Sequence, residues 1–190
     1  MLHEIETDAD DFVEVLTPLA LEHERIPLDA AAREAATIAR YLGGAIQATV
    51  NYLDKDLRPT KNTYSGGVNF PFVWTRGNVR SVAAKIIDPD NVGQMIDAPT
   101  QPTISGRKDL RGATMTVGSE LYLLPVGGLL VIESGFVAAE DLPDDVVEFI
   151  LSVFGTHYAL RESSNYSSMV FNVDNYPKYL LDPYRTLSYA

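Results

Sequence analysis

The chain has 190 residues, with 15 Lys and Arg against 26 Asp and Glu, a formal net charge of −11, no cysteine, 46% apolar residues and 22% charged residues. That length suits one domain with appendages and buries a core without staples, and the missing cysteines exclude a disulfide framework, a zinc ribbon, an iron–sulfur site and a thiol nucleophile. No apolar run nears the roughly 18 residues that span a bilayer, the first residues lack the basic flank and apolar stretch of a secretory leader, and an acidic excess repels a phosphate backbone, so a cytoplasmic protein that does not wrap nucleic acid is expected.

The acidity is concentrated near the start. Residues 1–30 hold nine acids (Glu4, Glu6, Asp8, Asp10, Asp11, Glu14, Glu22, Glu24 and Asp29) and one base, Arg25, for a net −8, whereas the other 160 residues sum to −3. Such a charge run ordinarily marks a solvated helix face. Phe12, Val15, Leu16 and Leu19 recur at helical spacing, but Pro18 breaks a regular helix. The expected solution makes Thr17 an N-cap and Pro18 the first residue of a fresh helix over 19–24. Asp29 then caps a long alanine-rich helix reaching about Asp54, with a seam of Ala31, Ala35, Ile38, Leu42, Ala45, Thr49 and Tyr52 that packs on at least one other helix. Gly43-Gly44 within it suggests a close helix approach or a kink.

After Pro59 the texture changes to short β-branched and aromatic runs. Val68–Thr75, with Pro71 inside it, Val79–Ile87, Ala113–Val117, Glu120–Leu124 and Leu129–Phe136 read as strands. The second of these is ended by Asp88-Pro89-Asp90-Asn91, which is turn chemistry, and residues 92–112 read as a loop or flap. Leu142-Pro143-Asp144-Asp145 opens a helix whose apolar face is Val147, Ile150, Leu151, Phe154 and Tyr158. Residues 163–168 form a polar linker, and the Tyr- and Pro-rich stretch from Met169 is too short for its own core. The fold class is therefore α+β, mainly helical: a helix bundle with a small inserted antiparallel sheet and an extended C-terminal arm.

Chemistry is sparse. His-Glu-x-x-His, Gly-x-Ser-x-Gly, Gly-x-Gly-x-x-Gly and the Gly-Lys-Ser/Thr phosphate loop are all missing. His3 lies in the terminus, His23 at a helix end and His157 off the apolar face of the last helix. Asp88/Asp90 and Asp144/Asp145 are explained by a turn and a helix start. Gly66-Gly67 and Gly127-Gly128 suit tight turns between strands. No catalytic residue, cofactor site or metal site is assigned, and the chain is read as no enzyme. The tail is more telling, since Tyr and Arg are enriched where proteins bind each other. Two readings of it stay open: a segment folded back on its own domain, or an arm anchored on a partner through Leu180-Leu181-Asp182-Pro183-Tyr184-Arg185.

Four stretches, in this order, resemble the head–tail connector (adaptor) family of tailed bacteriophages and related gene-transfer particles. They are Leu16-Thr17-Pro18-Leu19-Ala20-Leu21-Glu22-His23-Glu24-Arg25-Ile26, a capped opening helix; Ala45-Ile46-Gln47-Ala48-Thr49-Val50-Asn51-Tyr52-Leu53-Asp54-Lys55-Asp56-Leu57, the end of the long helix; Arg76-Gly77-Asn78-Val79-Arg80-Ser81-Val82, a strand pair; and Gly135-Phe136 with Leu142-Pro143 leading to Tyr158-Ala159-Leu160-Arg161-Glu162. The closing Leu181-Asp182-Pro183-Tyr184-Arg185 also fits. The family often has Thr-Gly-Arg at Leu53-Asp54-Lys55 and Pro at Asn78, and the loop over 88–113 is longer here.

The resemblance implies a helical connector domain over 1–162 with a β insertion at about 63–136, followed by a linker and arm over 163–190. It implies a structural protein of the virion neck, assembled in the host cytoplasm as a twelvefold ring that joins the portal protein to a stopper or tail-completion protein. Such a ring lines the channel for the genome during ejection without reading its sequence and without touching a membrane. The arm would bind portal through Tyr176, Tyr179, Leu180, Leu181, Pro183, Tyr184 and Arg185, while Asp8, Asp10, Asp11 and Glu14 would face the channel. Two other readings are a small-molecule-binding or enzymatic domain with Trp74 and Tyr122 lining a pocket on the sheet, and another neck component such as a stopper.

Overall fold

Among the described residues the 3.6-residue periodicities build three α-helices: α1 (Phe12–His23), α2 (Leu28–Leu53) and α3 (Asp144–Ala159). The computed structural model describes residues 2–7, 12–65, 67–91, 93–105, 110, 113–116, 122–124, 127–160 and 176–185. The chain divides into two units, residues 1–9 with 55–136 and residues 10–54 with 137–190.

In the second unit the three helices pack on one another. α1 buries Phe12, Leu16 and Ala20 at successive four-residue steps. It runs through Pro18 without the expected break. Thr17 does not cap a new helix; its hydroxyl donates to the Val13 carbonyl at 2.6 Å. Pro18 and Glu14 lie on the exposed side, so the carbonyl that loses its donor to the proline can turn to solvent. α2 begins after Pro27, which makes no side-chain cap, so Asp29 sits in the first turn rather than before it. There it meets the positive end of the helix dipole and accepts from Arg33 at 3.2 Å. The helix ends at Asp54 in the left-handed conformation, φ 52°, with its N–H bonded to the Val50 carbonyl. Gly43-Gly44 leaves α2 unbroken, and a Cβ on Gly43 would meet Val13 at an ordinary 3.8 Å. The close approach is on α3 instead, where a Cβ on Gly155 would run into the Glu24 carboxylate. α3 starts where the Leu-Pro-Asp-Asp signal put it and buries Val146, Phe149, Ile150, Val153, Phe154 and Tyr158.

The described residues of the first unit form ten strands: β1 (Leu2–Thr7), β2 (Thr60–Ser65), β3 (Val68–Phe70), β4 (Phe72–Trp74), β5 (Val79–Ile87), β6 (Met95–Asp97), β7 (Thr103–Ser105), β8 (Ala113–Thr116), β9 (Tyr122–Leu124) and β10 (Leu129–Ser134). They form sheets in the orders β1-β2-β10-β5-β6, β3-β9 and β4-β8-β7, with every pairing antiparallel. Pro71 splits the Val68–Thr75 run so that β3 and β4 join different partners. Alternation along β10 turns Leu130 and Ile132 inward onto a core with Phe70, Trp74, Val79 and Met115. Tyr64 lies edge-on to Trp74 at 6.3 Å and to Phe72 at 5.3 Å.

The fold is α+β. Ten strands among the described residues, set against α-helices of 12, 26 and 16 residues, make the sheet a full partner rather than a small insert, so the expectation of a mainly helical chain overstated the helix. The stretch expected as loop, 92–112, carries β6 and β7. It is tied down by Gln101, whose amide completes a strand-like pair with Ala84, accepting from its N–H at 2.8 Å and donating to its carbonyl at 2.9 Å. The N-terminus, expected to lead into a helix, opens with β1 paired along all six residues to β2.

Candidate functional site

The tail from Tyr176 to Arg185 forms two short 3-10 turns, Lys178–Leu180 and Asp182–Tyr184, against the helices of its own unit. Leu181 is wholly buried there. The Phe149 ring on α3 stacks with Tyr52 of α2 at 6.2 Å and takes Tyr176 edge-on at 6.0 Å. Above Tyr52 sit two cations, the Arg185 guanidinium at 5.0 Å and the Lys178 ammonium at 5.5 Å, a geometry in which the ring's negative face attracts both. The Tyr184 hydroxyl donates to Asp145 at 3.4 Å. His157 is half-buried, 6.3 Å from the Tyr176 ring, and desolvation there lowers its pKa below the usual histidine value. Burial also raises the Tyr176 hydroxyl pKa, partly opposed by a hydrogen bond with Thr156. Of the residues expected to bind a partner, Tyr179 (71% exposed), Pro183 and Arg185 face outward, Tyr176, Leu180 and Tyr184 are half-buried, and Leu181 serves the chain's own core.

The densest polar constellation is in the β unit, and the sequence did not advertise it as a site. Asp56, 4% exposed, accepts from Arg76 Nε and Nη2 at 3.1 and 2.8 Å on one oxygen, and from Asn62 Nδ2 and Ser134 Oγ at 3.0 and 2.6 Å on the other. The Asp56 N–H donates to the Arg76 carbonyl at 2.7 Å, and the Lys55 ammonium donates to the Thr75 carbonyl. Nearby, Phe136 N–H donates to Leu57 and Gly135 N–H to Asn78, at 3.0 and 2.9 Å. Gly135 has φ +85°, and a Cβ there would collide with the Arg58 carbonyl. These bonds clasp the stretch where the chain enters this unit, after Lys55, to the one where it leaves, before Val137. With every carboxylate lone-pair direction occupied by a fixed donor, Asp56 is a structural group rather than a general base.

The acids read as channel-facing divide. Glu14 is exposed on α1, while Asp8, Asp10 and Asp11 lie outside the described residues. Glu4 and Glu6 stand exposed on β1, so the acidic excess of residues 1–30 is not one helix face. Trp74 is 2% exposed in the β core and does not line an open pocket; the Tyr122 side chain lies outside the description. Among the described residues no group of three or more acidic, histidine or cysteine side chains could hold a metal, and no helix is long and apolar enough to cross a membrane.

Three solved structures share this fold along nearly the whole chain. A chain from the neck of an empty gene transfer agent (GTA) particle, computed with C6 symmetry, matches with a TM-score of 0.67 at 21% identity, covering 97% of this chain and 96% of that one. A chain from the virion of a native GTA particle matches with a TM-score of 0.68 at 21% identity, over 98% and 96%. One from the neck of a native GTA particle computed with C12 symmetry matches with 0.60 at 20% identity, over 97% and 96%. No protein-family model and no curated protein matches the sequence.

Proposed function

We propose that the protein is a structural component of a phage-like virion neck: an adaptor that forms a closed ring, twelvefold in the assembled particle, between the portal and a stopper or tail-completion protein, and that catalyses no reaction. The observation carrying this is the likeness in fold, over 97–98% of the chain, to chains from GTA particles, two of them from necks computed with sixfold and twelvefold symmetry. It agrees with the order of motifs that resembles the head–tail connectors. A rotational ring needs two different faces on each copy, which close on one another around the axis.

In this role the tail is the element that meets portal, through the residues turned outward, Tyr179, Pro183 and Arg185; Tyr and Arg are enriched among the residues that dominate interface energetics. The helical domain, the β unit and the tail then act as ring body, insertion and docking element. Twelve copies would carry roughly −130 in formal charge, a wall that repels rather than grips a passing duplex. Removing residues 177–190 outright would also strip buried Leu181 from the helices, so point changes make the sharper test. Tyr179→Ala with Arg185→Ala should abolish co-purification with portal while the circular dichroism spectrum stays unchanged. Undiminished portal binding by that variant would contradict the assignment of the tail.

A further inference from the structure

The apolar seam of α2 runs from Ala31 to Tyr52, but burial begins only at Ile38: Ala35 is exposed, Ala31 half-buried, and Leu28, one turn earlier, is 81% exposed. Beside this uncovered stretch α1 and α2 leave an open groove of about 360 Å³, walled by Val13, Thr17 and Leu21 of α1 and by Ala31, Ala35, Ile38 and Ala39 of α2, with Glu14 the single charged residue in its lining. Further round α2, Ala32 and Ala36 make an exposed ridge of small side chains that ends in Arg40. At about 100° per residue Ala32 and Ala36 stand a little over a quarter turn from Ala31 and Ala35, so the ridge is a separate row that borders the groove wall at Ala39. Glu14 and Arg40 are both exposed, and neither has an ion-pair partner among the described residues.

We infer that the groove receives the α2 ridge of a second copy of this chain, with the neighbouring copy's Arg40 set against Glu14. This rests on the ring function proposed above and names the contact that closes the ring. The match is one of shape and charge: an apolar trough with one acid fits a ridge of alanines ending in one base, Arg40, whose guanidinium lies over the Tyr41 ring at 5.1 Å and has no ion-pair partner among the described residues. Small side chains on both helices permit interaxial distances at the short end of the usual 8–10 Å. Because groove and ridge are different surfaces of one unit, each copy offers both, and the contact is heterologous, as rotational closure requires. Glu14 is thereby assigned to the contact between copies rather than to the channel.

The absence of cysteine in the chain makes the geometry directly testable in the full-length protein. A mixture of Leu21→Cys and Ala36→Cys chains should form the mixed disulfide on mild oxidation, whereas either variant alone should not cross-link, and the double variant should give a ladder of covalent multimers. Glu14→Arg and Arg40→Glu should each weaken self-association by roughly tenfold or more through like-charge juxtaposition, and the two together should restore it, with the helical circular dichroism spectrum of each variant unchanged. An oligomer that forms normally in all three charge variants overturns the groove contact while leaving the ring intact. Loss of portal binding without loss of self-association would instead put portal in the groove and equally overturn the proposal. A wild-type chain that stays monomeric at every concentration, with or without portal, contradicts the ring itself.

Discussion

Replacing Asp56 by alanine should loosen the β unit far more than the helices. The substitution removes a buried carboxylate that accepts four hydrogen bonds at 2.6–3.1 Å from Arg76, Asn62 and Ser134. Taking one partner from a buried ion pair costs about 3–5 kcal/mol, most of it from the charge left behind. The Arg76 side chain keeps 26% of its surface in water, which trims the penalty to about 3 kcal/mol. For a chain of this length that corresponds to a fall in melting temperature of roughly 6–12 °C. Asp56→Asn keeps the shape and part of the accepting capacity, and should cost less, about 1–2 kcal/mol. The assay is built into the sequence: Trp74 is the only tryptophan and lies 2% exposed in the β core, so its fluorescence follows that unit, while far-ultraviolet circular dichroism is dominated by the helices. Urea titrations of the variant should shift the Trp74 transition strongly. A Trp74 midpoint within about 1 kcal/mol of wild type would refute the assignment of Asp56 as the clasp.

Gly135→Ala should destabilise the same unit by about 3 kcal/mol or more, since it combines a left-handed φ of +85° with a collision against the Arg58 carbonyl; an unshifted Trp74 transition would count against it. Leu181→Ala should release the tail at a cost of about 2–3 kcal/mol, seen as rapid proteolysis near Tyr179 with helical circular dichroism retained. His157 gives a pH dependence with a definite sign. Its folded pKa is lowered below 6.5 by desolvation, so the unfolded chain takes up the proton first; the stability is whole above pH 6.5 and is lost as the pH falls through the lowered folded value. Unfolding midpoints measured across that window should fall for the wild type and fall less for His157→Asn.

Strong local signals translated directly into elements. The α3 start at Leu142-Pro143-Asp144-Asp145, the β5 run and most of the α2 seam could be read because apolar spacing and end chemistry agree there. β2 was missed for a physical reason. Two of its three inward residues, Thr60 and Asn62, are polar because Asn62 completes the Asp56 clasp and Thr60 pairs with Ser134 across the ladder, which leaves Tyr64 alone to signal the buried face. β1 escaped because its described side chains, Glu4, Ile5 and Glu6, are all exposed and the strand is held through main-chain bonds to β2. The clasp itself depends on residues 20 and 78 positions from Asp56, a separation no local pattern encodes, although a charged Lys55-Asp56 between Leu53 and Leu57 was its one trace. The tail's aromatic enrichment marked a packed surface, and the packing the structure shows is of Tyr176, Lys178, Leu181, Tyr184 and Arg185 on the chain's own helices.

Native mass spectrometry of the full chain, alone and mixed with portal, tests the neck-ring function most directly. A ring adaptor should appear as a closed oligomer, twelve copies when portal is present. A chain that remains monomeric and ignores portal under all conditions would contradict it.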